Sequence, residues 1–370
     1  MARPLRPTLI RFGRFGDMVM LTALATALHH RFGAPCQVVG AGPWNRDVFR
    51  AHPDVSRAWS LPRHLPFALT PAWPQVLVAL HRTHPAPIYV CEPHDRQLAR
   101  VKRLLRSGGI ATSRCLFITE LPPLPAEHCI DRLLRFGSQT PASVRALTSA
   151  GPALDSRPYA PCLRVLPEER AARDAWLAGK GWLADELVLV QAGNFRSMSG
   201  NHESAQRKAA DDKAWPAARW AALLREVQAR LPRARILLCG AASEVPMLEE
   251  LRMQVGLERV AVVAPPLRAL FALCEAAHSM ISVDTGPAHA AAALGVPLVV
   301  LYGAESPAYW LPRGPASTPV TGLGGPPRST RVDQLSVGEV FDAWSALPAR
   351  HDREVATEAP ALAARTAHSA

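Results

Sequence analysis

The sequence predicts an α/β protein of two halves, each a parallel sheet covered by helices on both faces. Three observations predict it. At 370 residues the chain is too long for one ordinary hydrophobic core. Short apolar runs alternate with segments of helical periodicity, the pattern of βαβ units. This alternation lapses between about Ser138 and Pro167, where Pro, Ser and Ala gather, and then begins again. The expected division is residues 1–165, residues 166–348, and a tail, 349–370, with no apolar face and expected to be disordered.

The first half opens with a strand at Leu9-Ile10, a tight loop, and a helix marked by Met18, Leu21, Leu24, Ala25 and Leu28, which Gly33 ends. Gln37–Gly40 reads as the next strand, and Val76–Leu80 and Ile88–Val90 as later ones. In the second half Leu187–Val190 is a strand, and Trp220, Leu223, Leu224, Val227 and Leu231 mark a helix. Strands at Ile236–Cys239, Val260–Val263, Met280–Val283 and Leu298–Leu301 alternate with helices at Leu248–Val255, Leu267–Ala277 and the alanine run after His289. The two halves share no sequence repeat. They read as two Rossmann-like domains with parallel sheets facing across a cleft.

A formal charge of +11 favours an anionic partner. The basic residues are not interleaved with aromatics in one block, so no nucleic acid is expected. Arg96, Arg100, Lys102, Arg103 and Arg106 recur at near-helical spacing, with Leu98, Val101, Leu104 and Leu105 between them. That face reads either as a solubilising surface or as a dock for an anionic membrane. Seven cysteines without a Cys-x-x-Cys pair read as reduced thiols filling the core, which places the chain in the cytoplasm. No signal peptide and no membrane-spanning run of about 20 apolar residues is recognised.

Four loops carry the candidate chemistry. In the stretch from Ser282 to Pro297, Asp284 is a natural N-cap, and Pro287 is tolerated in a first turn. Thr285, Gly286 and His289 would then face a phosphate at the helix N-terminus, beyond the end of a buried strand. The alternative is a capped packing helix. In the first loop Gly13, Arg14 and Gly16 surround Asp17, which reads either as an N-cap or as a carboxylate able to accept a proton from a hydroxyl nucleophile. Lys213, just ahead of Pro216, either reaches a phosphate or is solvated. Glu244, in the loop that opens with Gly240, either binds ribose hydroxyls or caps a helix. The dinucleotide fingerprint, metal-binding Cys/His sets, Asp-x-Asp, the Walker lysine loop and the Gly-x-Ser-x-Gly elbow are not found, so no metal and no cofactor is expected.

Taken in order, Arg11–Leu24 (RFGRFGDMVMLTAL), Asp211–Trp220 (DDKAWPAARW), Gly240–Glu244 (GAASE) and Asp284–Pro297 (DTGPAHAAAALGVP) resemble the heptosyltransferase-type glycosyltransferases of family 9. The resemblance spans the chain to about Leu347. It implies a GT-B architecture with the donor nucleotide mainly on the C-terminal domain. It also implies inverting, metal-independent transfer of a heptose from an ADP-activated donor to the inner core of lipopolysaccharide, a lipid-linked anionic glycan. A peripheral position at the cytoplasmic face of the inner membrane would suit such an acceptor.

By the same resemblance Asp17 is the general base, with Gly13, Arg14 and Gly16 in the acceptor-side loop. Lys213 contacts the donor diphosphate, Glu244 the ribose, and Asp284, Thr285, Gly286 and His289 the donor. Two departures stand out. Gln191–Asn194 replaces the family's His-Pro-Gly, which places Asn194 at the donor site, and a polar, mainly basic stretch, 196–210, precedes Lys213. That stretch reads as a lid over phosphates or as plain surface. Rival readings are a transferase for another nucleotide sugar or glycan acceptor, a non-catalytic sugar- or nucleotide-binding protein, and, disfavoured, an NAD-dependent oxidoreductase.

Overall fold

A computed structural model describes residues 5–62, 69–145, 154, 158–194, 211–315 and 318–348. The stretch 196–210 and the tail from 349 lie outside the described residues. The chain divides into two compact units, Met1–Arg164 and Val165–Ala370.

The first unit holds five parallel strands, β1 (Thr8–Arg11), β2 (Cys36–Ala41), β3 (Val55–Leu61), β4 (Ile88–Val90) and β5 (Cys115–Phe117), in the order β3-β2-β1-β4-β5. The helix Phe15–Phe32 is buried nearly all round, from Met18 to Leu28, because it packs on both the sheet and the helix Cys129–Gly137. That second contact requires Gly137, where an added Cβ would lie 2.5 Å from Leu24 Cδ1. Gly33, at φ 72°, ends the helix and donates its N–H to the His29 carbonyl at 2.8 Å.

The expected strand at Val76–Leu80 is instead part of a helix, Ala72–Arg82. An uninterrupted apolar run fits a buried strand and a packed helix alike. The wider window resolves it: Trp73, Val76 and Leu80 are buried at helical spacing, while Val78 is exposed. The edge strand β3 escapes a periodicity reading because its first four residues are exposed or half-buried.

The second unit holds β6 (Glu186–Gln191), β7 (Ala234–Cys239), β8 (Val260–Val263), β9 (Ala277–Val283), β10 (Leu298–Tyr302) and β11 (Val320–Gly324), all parallel in the order β11-β10-β9-β6-β7-β8. Alternate residues feed two cores. Val188 and Val190 face the layer formed by the helices Ala217–Arg230, Val245–Val255 and Val337–Ser345, and Leu187 and Leu189 face the opposite layer. Both faces are therefore apolar, which is why these strands read as continuous hydrophobic runs. β11 and the helix Val337–Ser345 extend the unit beyond the elements expected from sequence.

Cys36, Cys91, Cys115, Cys239 and Cys274 are buried free thiols, and Cys129 and Cys162 are half-buried.

Trp220 is 2% exposed and meets Trp215 edge-on, with ring centroids 4.9 Å apart. Trp220→Ala is expected to cost about 3–5 kcal/mol. Equilibrium denaturation measures this, and a loss below about 1 kcal/mol would show that the site collapses around the cavity.

Candidate functional site

In each unit the strand order reverses beside the first strand, between β1 and β4 and between β6 and β9. At such a reversal the flanking connections run to opposite sides and leave a crevice beyond the strand ends.

In the first unit the helix begins at Phe15, so Gly16 and Asp17 lie in its first turn and exposed Arg14 is the N-cap. This corrects the expectation of Asp17 as N-cap. Its Oδ2 accepts the Arg14 backbone N–H at 2.7 Å, satisfying a donor that the helix start leaves over. Its Oδ1 accepts Arg11 Nη2 at 2.6 Å, and Asp17 keeps 21% side-chain exposure. Gly13 is required by this approach, since a Cβ there would sit 2.4 Å from that of Asp17. Gly16, by contrast, is a helical residue and not part of the turn.

Arg11 and Glu92 join this cluster although neither stands out in the sequence. Arg11 ends β1, and Glu92 follows β4, its neighbour in the sheet. Arg11 Nη1 donates to the Cys91 carbonyl at 2.9 Å and lies 3.9 Å from Glu92 Oε1. Burial alone would lower the Arg11 pKa, but the carboxylates of Asp17 and Glu92 hold it above the ordinary guanidinium value.

In the second unit Lys213 Nζ donates to Asp284 Oδ2 at 2.6 Å and to the Asp284 carbonyl at 3.1 Å. Two of its three ammonium donors are thereby used. Asp284 follows β9, and the N-cap of the helix Gly286–Ala293 is Thr285, not Asp284 as expected from sequence. The Asp284 carboxylate is drawn to Lys213, across the loop, instead of to its own helix. Thr285 Oγ1 donates to the Val283 carbonyl at 3.2 Å and lies 3.3 Å from Ser282 Oγ. Residues 284–287 are half-buried, and His289, one turn in, is buried.

The loop carrying Lys213 is fastened on both sides. Asp211 Oδ1 accepts the Lys213 backbone N–H at 3.1 Å, and its Oδ2 accepts Asn194 Nδ2 at 2.8 Å. Asp212 Oδ2 accepts the Ala304 N–H at 2.7 Å, just past β10. Gly303 makes room for it, since a Cβ there would lie 2.3 Å from that oxygen. Asn194, Lys213, Asp284 and Thr285 are thus brought to one strand edge. Glu244 lies after β7, two strands from Asp284. It is buried, and its Oε2 accepts the Ala241 N–H at 2.8 Å within its own 3-10 turn.

Among the described residues no group of three or more His, Cys, Asp or Glu side chains is arranged to hold a metal ion. A cavity of about 620 Å³ lined by Arg6, Gln37, Arg57, Trp59 and Arg82 lies toward the N-terminal ends of β1 to β3, away from the crevice of that unit. The helix Asp95–Ser107 buries Leu98, Val101 and Leu105, half-buries Leu104 and exposes Arg96, Arg100, Arg103 and Arg106. Lys102 leaves that row. Its ammonium sits 4.2 Å from the centre of the Phe117 ring and 3.9 Å from Glu120. No described helix is long and apolar enough to cross a membrane.

Residues 192–335 match the model of glycosyltransferase family 9 (heptosyltransferase), the stretch that holds Asn194, Lys213 and Asp284. No curated protein matches the sequence. Among solved structures, a family 9 glycosyltransferase from Veillonella parvula aligns with TM-score 0.69 at 16% identity, over 93% of this chain and 97% of that one. The E. coli ADP-heptose lipopolysaccharide heptosyltransferase II gives 0.65 at 18%, over 92% and 98%. The E. coli heptosyltransferase WaaC with ADP gives 0.62 at 18%, over 91% and 98%. At these identities the likeness is one of fold: two parallel-sheet α/β units like those of the GT-B heptosyltransferases. The chain has that fold, its residues 192–335 match the glycosyltransferase family 9 model, and it is a glycosyltransferase.

Proposed function

We propose that the protein transfers a heptose from an ADP-activated donor to a lipid-linked, anionic inner-core glycan of lipopolysaccharide, with inversion at the anomeric carbon. The observation that carries the reading is the placement, inside the family 9 domain, of the Lys213 ammonium 3.1 Å from the carbonyl of Asp284, next to the Thr285 N-cap. A lysine and a helix N-terminus at one strand edge form a site for a diphosphate. The choice of ADP and heptose is supported by a structure of the same fold solved with ADP-2-deoxy-2-fluoro heptose.

In this reading Asp17 accepts the proton of the acceptor hydroxyl as its oxygen forms a bond to the anomeric carbon. The bond from that carbon to the diphosphate oxygen breaks through an oxocarbenium-like state. Lys213 and the first-turn N–H groups of the helix Gly286–Ala293 stabilise the departing ADP. Lys213 must exchange at least part of its Asp284 contact for phosphate oxygens. Asn194 acts at one remove, by holding Asp211 and hence the loop. Glu244, fastened within its own turn, contributes the wall near the ribose. Gly286 and His289 complete the donor side, and Gly13, Arg14 and Gly16 the acceptor side.

The working place is the cytoplasmic face of the inner membrane, where the row Arg96, Arg100, Arg103 and Arg106 docks on anionic lipid.

Asp17→Asn is expected to lower turnover by roughly 10²–10⁴ while leaving ADP affinity unchanged. Asn still accepts the Arg14 N–H, so the stability loss should stay below about 2 kcal/mol. Near-normal turnover would return Asp17 to a helix-capping role.

Lys213→Ala is expected to weaken ADP binding roughly 10- to 100-fold in calorimetric titration. It leaves the Asp284 carboxylate uncompensated beside the phosphates, so adding Asp284→Asn should recover part of the loss. Unchanged affinity, or activity strictly dependent on added Mg²⁺, would overturn the assignment. A hydrolysis screen over ADP- and other nucleotide-activated sugars tests the donor itself.

Sedimentation with anionic vesicles should show salt-sensitive binding, each arginine contributing about 1 kcal/mol at low salt. Changing Arg100, Arg103 and Arg106 together to Gln should abolish it. Equal binding by this variant would refute membrane docking through that face.

A further inference from the structure

We propose that Glu92 is a positioning residue for Asp17, acting through Arg11: one guanidinium shared by two carboxylates holds Asp17 in place without fully neutralising it. The proposal rests on Asp17 being the general base.

The three groups come from adjacent elements. Arg11 Nη2 lies 2.6 Å from Asp17 Oδ1, and Arg11 Nη1 lies 3.9 Å from Glu92 Oε1. Glu92 is 2% exposed, and its Oε2 accepts the Phe12 backbone N–H at 3.1 Å. That amide alone does not call for a charge at 92, because a neutral side-chain carbonyl would serve it and burying a carboxylate is costly. What the carboxylate adds is a second claim on Arg11.

The consequence is electrostatic. A guanidinium within about 4–6 Å of a carboxylate weakens it as a base by roughly 1–3 pH units. Arg11 facing Asp17 alone would fix the base in position and blunt it together. With Glu92 also facing Arg11, a second carboxylate shares that guanidinium, which opposes the weakening of the base.

Other groups of the described residues face the cluster. The Cys91 thiol is neutral, its pKa pushed up to about 12 by burial. Arg132, on the helix Cys129–Gly137, gives its guanidinium donors to the carbonyls of Ile118 and Leu121, keeps its charge, and stands within electrostatic reach of Arg11 as a second cation. From the helix Phe15–Phe32 comes the Arg14 amide on Asp17, and past β4 the His94 amide lies 3.5 Å from Glu92 Oε1.

The test is the pH dependence of kcat and KM for the full chain and its Glu92→Gln, Arg11→Lys and Asp17→Asn variants. The acid limb marks protonation of the base. Removing a neighbouring negative charge makes that protonation harder, so Glu92→Gln should move the limb down by about 0.5–1 pH unit. The plateau kcat should fall several-fold, with KM and ADP affinity within about twofold, since a weaker base is slower. Carbon-13 titration of the Asp17 carboxyl should show the same displacement without reference to activity.

A limb and a carboxyl titration unmoved by Glu92→Gln, with only stability lost, would overturn the proposal and leave Glu92 a cap for Phe12. If Glu92→Gln does not fold, Arg11→Lys decides. One ammonium cannot hold both carboxylates in the same fork, so kcat should fall at least about tenfold at unchanged KM, and wild-type kcat would refute the coupling. An active Asp17→Asn variant would instead remove the base reading itself, a failure distinct from a Glu92-insensitive limb in an enzyme that Asp17→Asn inactivates.

Discussion

A parallel strand buried on both faces has little room along its length for a charged side chain, and this constraint organises the molecule. Leu187 to Val190 feed two cores alternately, so polar residues flank that run, Glu186 before it and Gln191 and Asn194 at the carboxyl end. The same holds after β9, where five buried residues, Ser279 to Val283, give way to Asp284 and Thr285. Strands of one direction deliver all such ends to one edge of the sheet. Where the strand order reverses, that edge is open.

The two reversal points carry different charged clusters. At β1 and β4 Arg11 stands between two carboxylates, Asp17 and Glu92. At β6 and β9 the Lys213 ammonium pairs with Asp284 beside the start of a helix, whose dipole adds positive potential. In the proposed reading the first accepts a proton and the second holds the diphosphate.

Small residues make these arrangements fit. Gly13 admits Asp17 and Gly303 admits Asp212, each at a distance no side chain would tolerate. The alanines from 290 to 293 are buried against the sheet, which lets a helix of only eight residues present its N-terminus close to the strand ends. Fixed loops matter here as much as charge. A lysine on a free loop would sample many positions, whereas Asp211 and Asp212 tie Lys213 to the ends of β6 and β10.

The sequence by itself determined the α/β class, most central strands and helices, and the loops that bear Asp17, Lys213 and Asp284. Those features are written in local periodicity and in the residue types that follow each strand, both readable within about twenty positions. Short or edge elements were not legible. β3 is mostly solvated, β5 has three residues, and the apolar run at Val76–Leu80 suits either structure until its neighbours are seen. Only the tertiary structure decided the partners of the charged groups. Arg11 and Glu92 are 81 residues apart, and Lys213 and Asp284 are 71 apart, so no local pattern links them. Parallel strands joined by helical crossovers place distant residues side by side, which is why Asp284 faces Lys213 instead of capping its own helix.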